Sequence, residues 1–196
     1  MDVPCRAHSP FNSATPEATL AGLAGRLHPR NSLTPQGGIS MALEAALYFS
    51  NDIVGANTKG GRDGSSAVIE FDHQVYSPTD TQRGIVSGAR VHGNVELVKE
   101  IDTASANLYK ACCNGETLDE LKVEWYRIGP TGAEELYFTH TLTNVKVAAV
   151  EQILPNTKDP SKEQFRHLER VKLLYERINW KHEEGYEYED AWTDAQ

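Results

Sequence analysis

The feature that most constrains this chain is an alternation of period two, broken by a single turn signal. Leu121, Val123 and Trp125 alternate with Lys122, Glu124 and Tyr126. After Gly129-Pro130-Thr131-Gly132 the beat resumes at Leu136, Phe138, His140 and Leu142, and Val145 and Val147 carry it past Asn144. Side chains that repeat every second residue line one face of a strand, whereas a helix returns to a face only every ~3.6 residues. These residues therefore predict two antiparallel strands joined by a short connection. Residues 42–49 and 67–76 supply earlier strands, and the stretch from Val171 through Leu173, Tyr175 and Arg177 to Trp180 predicts one strand covered on both faces. One segment departs from the rhythm: Leu108, Ala111 and Cys112 lie at i, i+3 and i+4, with Ser105 or Thr103 placed to cap a helix and Gly115 to stop it. The expected fold is mainly β: an antiparallel β-barrel of two packed sheets, one short flanking helix and a long protruding loop.

Composition divides the chain. Residues 1–40 hold Pro4, Pro10, Pro16, Pro29 and Pro35 of the nine prolines, one aromatic residue (Phe11), and three arginines against Asp2 and Glu17. Such a segment cannot build a core and is expected to be a disordered extension or a misassigned start. Gly37-Gly38 would be encoded by a purine-rich tract at ribosome-binding distance from Met41, which makes Met41 the expected start and 41–196 the folded domain. Thr19–Gly25 is too short and too rich in glycine for a signal peptide. No apolar run approaches the roughly 20 residues of a membrane span. A net charge of −9 repels phosphate backbones and anionic lipid, so neither nucleic acid nor membrane insertion is expected.

The chain carries no recognisable catalytic sequence. Gly-x-Ser-x-Gly, His-Glu-x-x-His and Cys-x-x-Cys are absent, and Gly55, Gly60, Gly61 and Gly64 read as a flexible hairpin tip rather than a phosphate loop. No catalytic residue, cofactor or metal is expected. His73, His92, His140 and His167 have no ligand spacing and read as ordinary hydrogen-bonded histidines, although a zinc site assembled in three dimensions is the sharper alternative. Cys112 is expected to pack and Cys113 to remain a free thiol. The carboxylates from Glu183 to Asp190 read as a solvated, charged strand edge.

A long polar excursion, Tyr76 to Gly93, lies between the second strand and the helix. Loops of this length inside a folded domain are usually functional. Further on, the chain reads Lys99-Glu100-Ile101-Asp102, Leu108-Tyr109-Lys110-Ala111, Trp125-Tyr126-Arg127-Ile128, Asn144-Val145-Lys146-Val147, Lys158-Asp159-Pro160-Ser161-Lys162-Glu163 and Tyr175-Glu176-Arg177-Ile178-Asn179-Trp180. In that order, from about Met41 to Trp192, the series resembles the haemolysin-coregulated protein family, the inner-tube subunits of bacterial type VI secretion. The resemblance implies homo-hexameric rings that stack into a tube, effector proteins in the lumen, and partnership with a spike protein and a contractile sheath. It also implies export without a cleaved signal peptide from a cytoplasmic pool. On the same resemblance the ring-stacking loop comprises Tyr76, Ser77, Pro78, Thr79, Asp80, Thr81, Gln82, Arg83, Gly84, Arg90 and His92. Three departures stand out: residues 1–40 have no family counterpart, Ala106 replaces a common helix-starting proline, and Glu183–Asp190 is unusually acidic. Two other readings remain, a specialised carrier whose N-terminal segment is an adaptor, and a β-barrel hydrolase using His92 or His167 with an acidic partner.

Overall fold

The computed structural model describes residues 43–194. The chain divides into units 1–38 and 39–196, and the described residues all belong to the second. Both the extension and the expected start at Met41 lie outside the described residues.

In chain order the strands are β1 (Ala45–Phe49), β2 (Ser66–Asp72), β3 (Val75–Tyr76), β4 (Thr79–Asp80), β5 (Ile85–Val86), β6 (Val91–His92) and β7 (Val95–Glu100). Helix α1 (Ser105–Asn114) follows, and then β8 (Thr117–Ile128), β9 (Glu134–Ile153), β10 (Leu168–Leu174), β11 (Arg177–His182) and β12 (Tyr186–Ala191). The eight longer strands form one sheet in the order β10-β7-β2-β1-β8-β9-β11-β12. β10 also pairs with β9, Leu168 opposite Ile153 and Leu174 opposite Lys146. That second pairing closes six strands into a barrel whose opposed walls supply the two packed layers, with β11 and β12 continuing past the closure.

Alternation holds at Leu121 and Val123 and at Val145 and Val147, but it blurs between Leu136 and His140, where Leu136, Tyr137 and Phe138 are all half-buried and Thr139 is buried beside His140. Leu121, Val123, Leu142 and Val145 are fully buried in one core cluster with Leu47, Leu97, Leu173 and Ile178. Burying each such side chain is worth about 1.5–3 kcal/mol. The 20-residue β9 serves two partners: Phe138–Thr143 pairs with β11, and Lys146–Ile153 pairs with β10. The switch falls at Asn144, which adopts a left-handed φ of 52° and donates from Nδ2 to Glu176 Oε2 at 2.6 Å. Asparagine tolerates that conformation better than other side chains with a Cβ.

The same corner corrects the single strand expected from Val171 to Trp180. The chain breaks at Tyr175 and Glu176, and burial shifts from the odd positions Val171, Leu173 and Tyr175 to Ile178. Two strands of opposite phase, read as one, gave the impression of apolar residues on both faces.

The helix ends as expected, Gly115 taking φ 66° with its N–H donating to Ala111 O. Its start differs. Ala104 occupies the cap position and no side chain caps the helix. Ser105 Oγ instead accepts from Asp102 N and donates to Glu169 Oε1 at 2.8 Å, and Thr103 Oγ1 donates to Val54 O. Beneath this start lies the fully buried Lys99, whose Nζ donates to Glu100 O and pairs with Asp102 Oδ1 at 2.7 Å and Glu169 Oε1 at 2.8 Å. Cys112 is half-buried against the core and Cys113 is exposed, both as free thiols.

The glycine-rich connection after β1 is pinned rather than a flexible tip. Arg62, 2% exposed, donates to Glu44 O, pairs with Glu134 at 2.7 Å, and lies 3.6 Å over the Tyr126 ring. A guanidinium buried on an aromatic face with an anionic partner holds the loop against the barrel.

Candidate functional site

The excursion after β2 is a two-stage hairpin. β3 pairs with β6, Val75 opposite His92, and further out β4 pairs with β5, Thr79 opposite Val86. At the tip Asp80 Oδ1 accepts from the backbone N–H groups of Gln82 at 2.9 Å and Arg83 at 3.2 Å, and Gly84 takes φ 66°. An aspartate that bonds the backbone two residues on builds the turn by itself. Tyr76, Ser77, Thr79, Thr81, Gln82, Arg83 and Gly84 are exposed, while Pro78 and Asp80 are half-buried.

Arg90 and His92 do not share this exposure, which corrects their placement among the outward loop residues. His92 is 3% exposed and Arg90 is half-buried at the loop's base. Arg90 donates from Nε and Nη2 to the two carboxylate oxygens of Asp190 on β12, and from Nη2 to Ala191 O at 3.3 Å. Asp190 is thus the exception in an acidic segment whose Glu183, Glu184, Glu187 and Glu189 are exposed.

His92 completes a relay. Its Nε2 meets Asp190 Oδ2 at 3.2 Å, its Nδ1 meets Tyr175 Oη at 2.9 Å, and Tyr175 Oη meets His73 Nε2 at 2.7 Å. One direction of donation satisfies every group: His73 Nε2–H to Tyr175, the Tyr175 hydroxyl to His92 Nδ1, and His92 Nε2–H to Asp190. Trp192 stacks on His92 with centroids 5.9 Å apart. Burial pushes the Asp190 carboxyl up, but the Arg90 hydrogen bond, the Ala191 N–H and the Arg90 charge hold it below the usual carboxylate range. Burial followed by the charge of His92 lowers His73, and burial raises Tyr175.

His140 stands beside this group, its ring centroid 6.4 Å from that of His73. Its Nδ1 accepts from Trp125 Nε1 at 2.8 Å, which fixes the proton on Nε2. Burial, then the charge of His73, lowers it to about 4. These histidines are hydrogen-bonded structural groups, as the plainer sequence reading expects. His167, the fourth member of the zinc alternative, is exposed at the other end of β7, opposite His92. The hydrolase alternative finds a His92–Asp190 pair, but the hydroxyl on the other ring nitrogen belongs to Tyr175, which is 4% exposed and also bonded to His73.

Polar residues drew attention to the loop from sequence, and its apolar tip escaped it. Ile85 is 52% exposed and Val86 63%. The signal was two β-branched residues directly after Gly84 in an otherwise polar stretch.

Comparison with known proteins places this architecture. Residues 47–182 match the family model described as type VI secretion system effector, Hcp. The "Major exported protein" of Pseudomonas aeruginosa is 35% identical over 156 residues, covering 79% of this chain and 91% of that protein. The chain belongs to the Hcp family. The structure of an Escherichia coli Hcp1 is similar at a TM-score of 0.68 and 35% identity, covering 77% of this chain and 99% of the other. That of the secreted protein Hcp3 of Pseudomonas aeruginosa is similar at 0.64 and 27% identity, with coverage of 77% and 99%. This Hcp is a structural subunit of the type VI secretion tube, and it is a secreted component of that system.

Proposed function

We propose that this Hcp assembles as a homo-hexameric ring, that rings stack through the loop from Tyr76 to Gly93, and that the resulting tube shelters effector proteins without catalysing a reaction. The observation that carries this reading is the open, exposed edge of β12 combined with a protruding loop whose base is clamped to that same strand. Tyr186 and Tyr188 on β12 are 77% and 63% exposed. An unpaired strand edge must be blocked or used, and a ring uses it without leaving a free end in the plane. Export then proceeds from a cytoplasmic pool without a cleaved signal peptide, in concert with a spike protein and a contractile sheath.

Particle images of the purified full chain, combined with sedimentation, test the proposal. Six-fold rings with a central hole support it. A protein that stays monomeric at every concentration contradicts it.

A further inference from the structure

The register of the sheet places two complementary features at opposite ends of the barrel. β2 runs from Ser66 to Asp72 into the loop, and β7 returns from Val95 to Glu100, so the loop leaves one end and Glu100 marks the other. β10 and β9 bring Leu168 and Ile153 to the Glu100 end. There the connection between β9 and β10 encloses a groove of about 570 Å³. Its apolar lining is exposed, Leu154 at 68%, Phe165 at 42% and Ile101 at 40%, and its rim carries Lys162 and Glu163. At the far end of the molecule, the loop tip presents Ile85 and Val86 beside the oppositely charged Asp80 and Arg83.

We infer that the groove between Ile101, Leu154 and Phe165 is the acceptor for the Ile85-Val86 tip of a second copy of this chain. The inference rests on the tube reading and names the surface that receives its loop. A β-branched pair suits the apolar part of this groove, formed by Ile101, Leu154, Pro155 and Phe165. Asp80 and Arg83 at the tip find opposite charges in Lys162 and Glu163 at the rim. The Asp80–Arg83 contact within the loop is long, at 3.7 Å, and Arg83 is 78% exposed, so little is lost when these groups change partners. Because donor and acceptor lie at opposite ends of one barrel, the contact is heterologous and repeats along the axis, as a stack of rings requires, instead of closing a pair.

A charge exchange in the full chain tests this contact. Val86→Glu alone and Leu154→Lys alone should each raise the concentration needed for stacking by about tenfold or more, and the double variant should return to within a few-fold of the parent. Both positions are largely exposed, so thermal unfolding and the isolated rings should be unchanged. Stacking of both single variants at the parent's concentration overturns the inference, as does a double variant no better than either single. Loss of rings in a folded single variant also overturns it, because the contact would then be lateral. Failure of the parent chain to form rings at all is a different result, and it removes the tube reading on which this contact depends.

Discussion

Arg90 and Asp190, 100 residues apart in the chain, meet through two parallel hydrogen bonds that tie the protruding loop to the last strand. A guanidinium fork matched to a carboxylate fixes orientation as well as distance. The loop therefore emerges from a fixed base, with its tip free to make contacts elsewhere.

Asp190→Ala should loosen that base. It leaves Arg90 and the buried His92 without their carboxylate and should cost about 2–4 kcal/mol, less than for a fully buried pair because Arg90 is half-buried. Urea unfolding measures the loss, and hydrogen exchange should show it concentrated at residues 75–92. Unchanged exchange in the loop would contradict its anchoring role.

The fold should weaken in mild acid. An unfolded histidine takes up its proton near 6.5, whereas folded His140 does so only at about 4. Between those values the unfolded chain binds more protons, so the contribution of His140 is complete above about pH 6.5 and is lost as pH falls toward 4. Its size is on the order of 3 kcal/mol. His73 is lowered too and acts in the same direction. His140→Gln keeps an acceptor for Trp125 without the titration, so its urea midpoint should depend less on pH between 7 and 5 than the parent's. An equal dependence in both proteins would rule out this assignment.

Lys99 and Glu169, each fully buried and 2.8 Å apart, should be sensitive to being separated. Lys99→Met strands a carboxylate already left with one oxygen, Glu169 Oε2, unpartnered, and should cost about 3–5 kcal/mol. Lys99→Met with Glu169→Leu should recover much of that loss. Additive losses in a double-mutant cycle would show that the pair is not coupled.

Gly55 tests the pinned connection after β1. A Cβ there would lie 2.2 Å from Ser65 O, so Gly55→Ala forces two backbone segments apart. Gly60→Ala, with nothing within 4 Å, is its control. Thermal unfolding should show a loss of several degrees for the first and nearly none for the second.

The sequence was most legible where a single local rule governs. Alternation placed β8 and β9 because each strand buries one face, and Leu108, Ala111 and Gly115 placed the helix because its spacing and stop are local. It was least legible where distant residues decide. The break between β10 and β11 depends on Asn144, whose turn redirects a neighbouring strand, and the helix cap was displaced by the network of Lys99, Asp102 and Glu169. At the candidate site the loop was visible as a polar excursion. Its anchor was not, because Asp190 sits in an acidic run that otherwise faces solvent and only the fold brings it to Arg90 and His92.

Stacking of rings end to end, as proposed, brings like charges together. Each copy carries a charge of −9, so repulsion between copies should be appreciable at low ionic strength and fall as the Debye length shortens below about 10 Å. Sedimentation of the full chain across a salt series, with images of the same samples, measures this most directly. Six-fold rings that lengthen into stacks as salt rises to moderate levels are the expected result. A single monomeric species at every salt and protein concentration would contradict it.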